Sequence, residues 1–179
     1  MKNGFIIKVG LLFLSFLVFS APLRAANLTP GNTQIYFSPN GGCTEAITKE
    51  IDRAKSDIFV QAYSFTSAPI AKALLNAHKR GVKVQAILDK SQKTAKYSSA
   101  TFLYNAGVPT FIDARHAIAH NKIMIIDRET VITGSFNFTK AAEDKNAENL
   151  LVIKNKEIAK AYLENWSRHK EHADKYERP

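Results

Sequence analysis

Residues 120–137 read His-Asn-Lys-Ile-Met-Ile-Ile-Asp-Arg-Glu-Thr-Val-Ile-Thr-Gly-Ser-Phe-Asn. His120, Lys122, Ser135 and Asn137 interrupt two apolar runs joined by a polar turn. A polar group set in an apolar strand costs free energy unless it finds a partner. These four residue types suit the handling of a phosphate anion. Lys122 offers positive charge to a non-bridging oxygen, and Ser135 and Asn137 offer neutral donors. His120 can serve as nucleophile or general acid. Gly134 lets the backbone approach a ligand closely.

A turn centred on Arg128-Glu129 would pair Asp127 with Thr130, His120 with Asn137 and Lys122 with Ser135. Directly opposed residues share a face of a sheet, so this register predicts one four-residue patch. A three-residue loop would shift the register by one and scatter them. Asp127 stands an odd number of residues from Lys122, so it reads as a turn-holding residue rather than a catalyst.

Around that hairpin, strand and helix patterns alternate. Strands are predicted at 34–38, 57–65, 82–88, 109–112 and 147–153, and helices at 43–56, 67–80, 98–106 and 157–172. Pro69 in a first turn and Gly81 past a helix end fit the usual asymmetry. This alternation argues an α/β fold. The charged stretch 168–179 is expected to fray. Between strand and helix, residues 89–99 carry Lys90, Lys93, Lys96 and Tyr97, a composition suited to phosphate contacts and base stacking.

The chain has 179 residues and a net charge of +9; residues 1–26 hold Lys2, Lys8 and Arg24 with no acid, leaving +6 for the rest. That balance favours a polyanionic partner, nucleic acid or an anionic lipid surface. Residues 1–26 read as a signal peptide: a basic start, an apolar run from Val9 to Phe19, then small residues up to Ala26. The expectation is an exported protein, periplasmic or secreted, with a single domain over 27–179 and no stable membrane insertion after cleavage. Cys43 is the lone cysteine, which excludes an intramolecular disulfide and a cysteine-based zinc site. His116 precedes His120 by four residues, but a loop-then-strand context does not bring the two together. His78, His169 and His172 fall on helical or tail surfaces and receive no role.

The spacing His120-x-Lys122, then Asp127, then Gly134-Ser135-x-Asn137, resembles the HKD signature of the phospholipase D superfamily. Asn146-x-Glu148-Asn149 and the strands from Asp57 and Arg80 resemble the same family, so residues 30–166 are nearly all covered. The resemblance implies a phospholipase D-like α-β-α sandwich, with a mixed, mostly parallel sheet and helices on both faces. It implies attack by a histidine on a phosphodiester, a covalent phosphohistidine, and a second histidine that protonates the leaving oxygen. His120 would be nucleophile or acid. Lys122 and Asn137 would bind phosphate, with Ser135 in support, and Glu148 would orient the imidazole. No metal and no cofactor are implied. One motif supplies one histidine, so a homodimer with a composite site is expected. Small single-motif members with a leader resemble nonspecific endonucleases, here acting on DNA with RNA left open. A phospholipase D or transphosphatidylase acting on lipid head groups is the alternative, and a binding module without activity a third.

Overall fold

Apolar residues recurring every three to four positions build the helices, and unbroken apolar runs build the central strands. The computed structural model describes residues 32–95 and 98–177; residues 1–26, expected to be a signal peptide, and Lys96 and Tyr97 of the lysine-rich loop lie outside them. Eight strands form one sheet: β1 (Thr33–Ser38), β2 (Asp57–Ala62), β3 (Lys83–Asp89), β4 (Thr110–Asp113), β5 (Lys122–Ile126), β6 (Thr130–Gly134), β7 (Glu148–Lys154) and β8 (Asp174–Lys175). Five helices accompany them: α1 (Cys43–Arg53), α2 (Ala68–Lys79), α3 (Ser99–Asn105), α4 (Lys140–Asp144) and α5 (Lys156–His172). The strand order is β1-β7-β6-β5-β2-β3-β4-β8.

The layers are those expected. One face of β2 and β5, with Val60 and Met124, packs under Ile47 and Ile51 of α1, Leu74 of α2 and Leu103 of α3. The other, with Phe59 and Ile125, is covered by Ala159 and Trp166 of α5. Both faces of β2 are therefore buried, which is why its sequence runs apolar instead of alternating. The Trp166 indole N–H donates to the Val60 carbonyl at 2.9 Å and its ring lies 4.9 Å from Phe59, pinning α5 to the sheet centre. The Cys43 thiol is fully buried and burial pushes its pKa up to about 11, so it is a packing residue.

Strand direction departs from the expectation. The sheet is mixed, but only β2–β3 and β3–β4 are parallel; the remaining pairs are antiparallel. Parallel pairing is confined to β2, β3 and β4, and helix-strand alternation breaks where β4, β5 and β6 follow one another with no helix between them.

The hairpin register also departs. Ile126 pairs with Thr130, Ile125 with Val131 and Met124 with Ile132. The loop is thus the three-residue Asp127-Arg128-Glu129, with Asp127 and Arg128 both at positive φ. Two successive left-handed residues give a turn whose twist matches the strands, a job normally left to Asn-Gly. Asp-Arg gives no such signal in the sequence. Tertiary contacts hold it: the Asp127 carboxylate accepts from the backbone N–H of Lys55, Ser56 and Asp57 and from the Ser56 hydroxyl. Asp127 is structural, as expected, but it ties the hairpin to the α1–β2 connection as well as shaping its own turn.

The C-terminal segment does not fray within the described residues. α5 runs to His172, β8 adds to the edge of β4, and Tyr176 is buried with its hydroxyl 2.7 Å from Thr101 Oγ1.

Candidate active site

β5 opens at Lys122, and its parity decides the site. Met124 and Ile126 of that face enter the larger core, so Lys122 starts a buried row and is only 7% exposed. Its ammonium donates to the His120 carbonyl at 2.9 Å and stands 5.1 Å from the centre of the Tyr63 ring. That ring in turn lies 4.6 Å from the His120 imidazole. Burial pushes the Lys122 pKa down, and the negative charge of Glu148 partly restores it. A desolvated lysine held against an aromatic face, with no carboxylate of the described residues in hydrogen-bonding contact, leaves charge free for an incoming anion.

His120 itself is exposed, at the end of the loop that leaves β4. Its position is fixed from both sides. The Asp89 carboxylate, at the end of β3, accepts the Ala119 N–H at 2.8 Å and the Ser91 N–H at 2.9 Å. Burial opposes the charge on Asp89, but these hydrogen bonds win and hold its pKa below the usual value. On the other side, the Tyr63 N–H donates to the Asn121 carbonyl at 2.8 Å. His120, Lys122 and Gly134 open onto a cleft of about 410 Å³ that is also lined by Ala161, Tyr162 and Asn165 of α5.

Ser135 and Asn137 do not reach this place by strand alternation. The observed register would set Gly134, not Ser135, opposite Lys122, and β6 ends there with Gly134 at φ 146°. The following even-numbered residues, Phe136 and Phe138, turn into the core, and Phe138 bridges to Phe65 beyond β2. Ser135 is exposed, and its hydroxyl accepts the Asn149 N–H at 3.0 Å. The side-chain oxygen of Asn137 is buried and has no partner among the described residues. Glu148 accepts from the Asn146 amide at 3.2 Å; among the described residues no hydrogen bond joins it to the His120 ring. The structure therefore gathers His120, Lys122 and the charge of Glu148, while Ser135 and Asn137 sit on the irregular segment past β6. Tyr162 and Asn165 line the cleft, and Tyr63 stands beside His120 and Lys122, without having been singled out for it. Tyr63 carried a sequence signal, an aromatic followed by a polar residue at the end of a buried strand; the α5 residues carried none.

Comparison with known proteins places this arrangement. Residues 47–170 match the family model described as cardiolipin synthase, PLD-like domain. A phospholipase D from Rickettsia felis is 50% identical over 130 residues, which span 73% of this chain and 65% of that protein. The crystal structure of Nuc from Salmonella typhimurium, a phospholipase D family member, superposes with a TM-score of 0.77 at 42% identity, covering 80% of this chain and 97% of that one. NucT from Helicobacter pylori shares the fold, with a TM-score of 0.74 at 24% identity over 80% of this chain and 98% of that one.

Proposed function

The chain belongs to the phospholipase D superfamily, and from that membership we propose that it is a metal-independent phosphodiesterase, a nonspecific endonuclease cleaving DNA through a covalent phosphohistidine. The observation that carries this reading is the pairing of an exposed His120 imidazole with a buried Lys122 ammonium across the Tyr63 ring. A histidine poised as nucleophile needs an electrophilic phosphorus beside it, and Lys122 supplies the charge that holds a phosphodiester there and stabilises the developing equatorial oxygens. Lys122 contacts the backbone as a point charge, so the reading favours phosphate over base contacts and little sequence preference.

In the proposed reaction a nitrogen of His120 bonds to phosphorus as the bond to the leaving oxygen breaks. A second histidine gives that oxygen its proton. The same histidine then takes a proton from water, whose oxygen displaces His120 and releases the product. Asn137, donating from its side-chain amide N–H, and Ser135, donating from its hydroxyl, are the further phosphate ligands in this scheme, and Glu148 orients an imidazole. The second histidine is the His120 of another copy, which makes the working form a symmetric homodimer with one composite site. Ile118, two residues before His120, is 57% exposed, an apolar side chain suited to such a contact. Residues 1–26 direct export, to the periplasm or beyond, and 27–179 form the nuclease domain. No helix of the described residues is long and apolar enough to cross a membrane.

Plasmid DNA incubated in EDTA with the protein tests the reading. Nicking is expected from the wild type and not from His120→Ala, with labelled phosphate trapped on the wild type alone. The phospholipase D name of the Rickettsia felis relative supports a second reading, a lipid phosphodiesterase. Head-group release from phosphatidylcholine vesicles without DNA nicking would replace the first reading by that one.

A further inference from the structure

Asp113, His116, His169 and His172 converge at the end of the molecule where α5 reverses into β8. Each offers one ligand atom, and these four atoms lie within 4.8 Å of one another. Asp113 ends β4 and its side chain is fully buried. The nearest Asp113 oxygen is 2.7 Å from His169 Nδ1, 3.0 Å from His116 Nδ1 and 3.4 Å from His172 Nε2. His169 and His172 share one face in the last turn of α5, three residues apart. His116 arrives from the loop that leaves β4.

We infer that this cluster is a binding site for one zinc-class divalent ion, distinct from the phosphodiesterase cleft. Three imidazoles and one carboxylate form a closed four-ligand set, the kind that holds structural zinc. Imidazole nitrogens suit zinc and its neighbours over magnesium or calcium. Tetrahedral bonds of about 2.0–2.1 Å put ligand atoms about 3.3 Å apart, so the observed separations need only small side-chain movements to close on an ion. The side chains of His116, His169 and His172 are 44%, 15% and 19% exposed, which leaves an entry path beside a buried anion. None of the four donors lines the cleft that His120 opens onto. The ion would bind the end of α5, whose middle lines that cleft, to the loop whose far end carries His120. It positions these elements and takes no part in the chemistry.

The test uses untagged protein stripped with chelator, dialysed and titrated with zinc chloride against a chromophoric competitor. Wild type and His120→Ala are expected to bind one ion per chain. The double variant His116→Ala/His172→Ala should bind more than about a hundredfold more weakly, since it removes two ligands. Cobalt(II) should give the wild type the intense visible absorption of a tetrahedral centre, and zinc should raise the melting temperature of wild type but not of the double variant. Its two substituted side chains are partly exposed, and buried Trp166 reports by fluorescence that it has folded. Wild type that binds no zinc, or binds it no better than the double variant, would leave only a carboxylate hydrogen-bonded by three imidazoles and overturn the inference. Loss of the ion in His120→Ala would also overturn it, by moving the ion into the cleft. Neither outcome depends on DNA cleavage, so the site and the proposed activity fail separately.

Discussion

At the scale of single residues, burial does most to shape the chemistry. Lys122 is a charge placed where charge is disfavoured. With its folded pKa below the ordinary 10.5, the unfolded chain binds the proton more readily, so burying the ammonium costs stability at lower pH and this cost is relieved as pH rises through the folded pKa. A bound phosphate compensates the same cost. Inorganic phosphate is therefore expected to raise the melting temperature of the wild type, and Lys122→Met should remove that response while leaving the unliganded protein at least as stable. A response undiminished in Lys122→Met would place the anion elsewhere. Asp127 is the converse case, a charge that the fold favours, although the pH dependence runs the same way. Burial raises its pKa, but the hydrogen bonds from Ser56, Lys55 and Asp57 win and hold it below the ordinary 3.8. Its contribution is present above that value and lost as pH falls toward the depressed folded pKa. Asp127→Ala should cost about 2–3 kcal/mol at neutral pH, the scale of several hydrogen bonds to one charged acceptor. Urea midpoints of the two proteins should converge in acid.

At the scale of elements, the hairpin and the segment after it set the site. Gly134 sits at φ 146°, and a Cβ there would overlap the carbonyl of Asn149 on β7. Only glycine lets β6 close against β7 while the chain turns out toward Ser135. Gly134→Ala is expected to destabilise the fold by about 2–4 kcal/mol, combining backbone strain with displacement of a paired strand. It should also disturb the Ser135–Asn149 hydrogen bond. Denaturant titration followed by Trp166 fluorescence measures the first effect. Residual nicking activity below the melting temperature measures the second.

At the scale of the whole molecule, the proposed reaction needs two histidines where one motif supplies one per chain. If two copies build one site, a heterodimer of wild type and His120→Ala holds one histidine and is inactive. Re-equilibrated equal mixtures should then keep about a quarter of wild-type activity, where independent chains would keep about half. Light scattering on the same samples supplies the mass. β1 is an edge strand whose Ile35 and Phe37 are 58% and 65% exposed, and α5 leaves that end of the sheet uncovered.

The sequence by itself determined most of the local elements and the structural reading of Asp127, but not α4 or β8. Periodicity and turn chemistry are properties of near neighbours along the chain, and the ends of α1, α2, α5 and β4 to β7 fall within a few residues of where those signals put them. It did not determine strand direction, because which strand pairs with which is settled by burial between distant segments. It missed the hairpin register by one residue, because Asp127 and Arg128 hold left-handed conformations only with the Lys55–Asp57 backbone beside them. It left Ser135 and Asn137 to an alternation that stops at Gly134. It assigned no role to His116, His169 and His172, since nothing local marks three histidines from a loop and a helix end as neighbours. Only the folding of α5 back across the sheet to β4 brings them to Asp113.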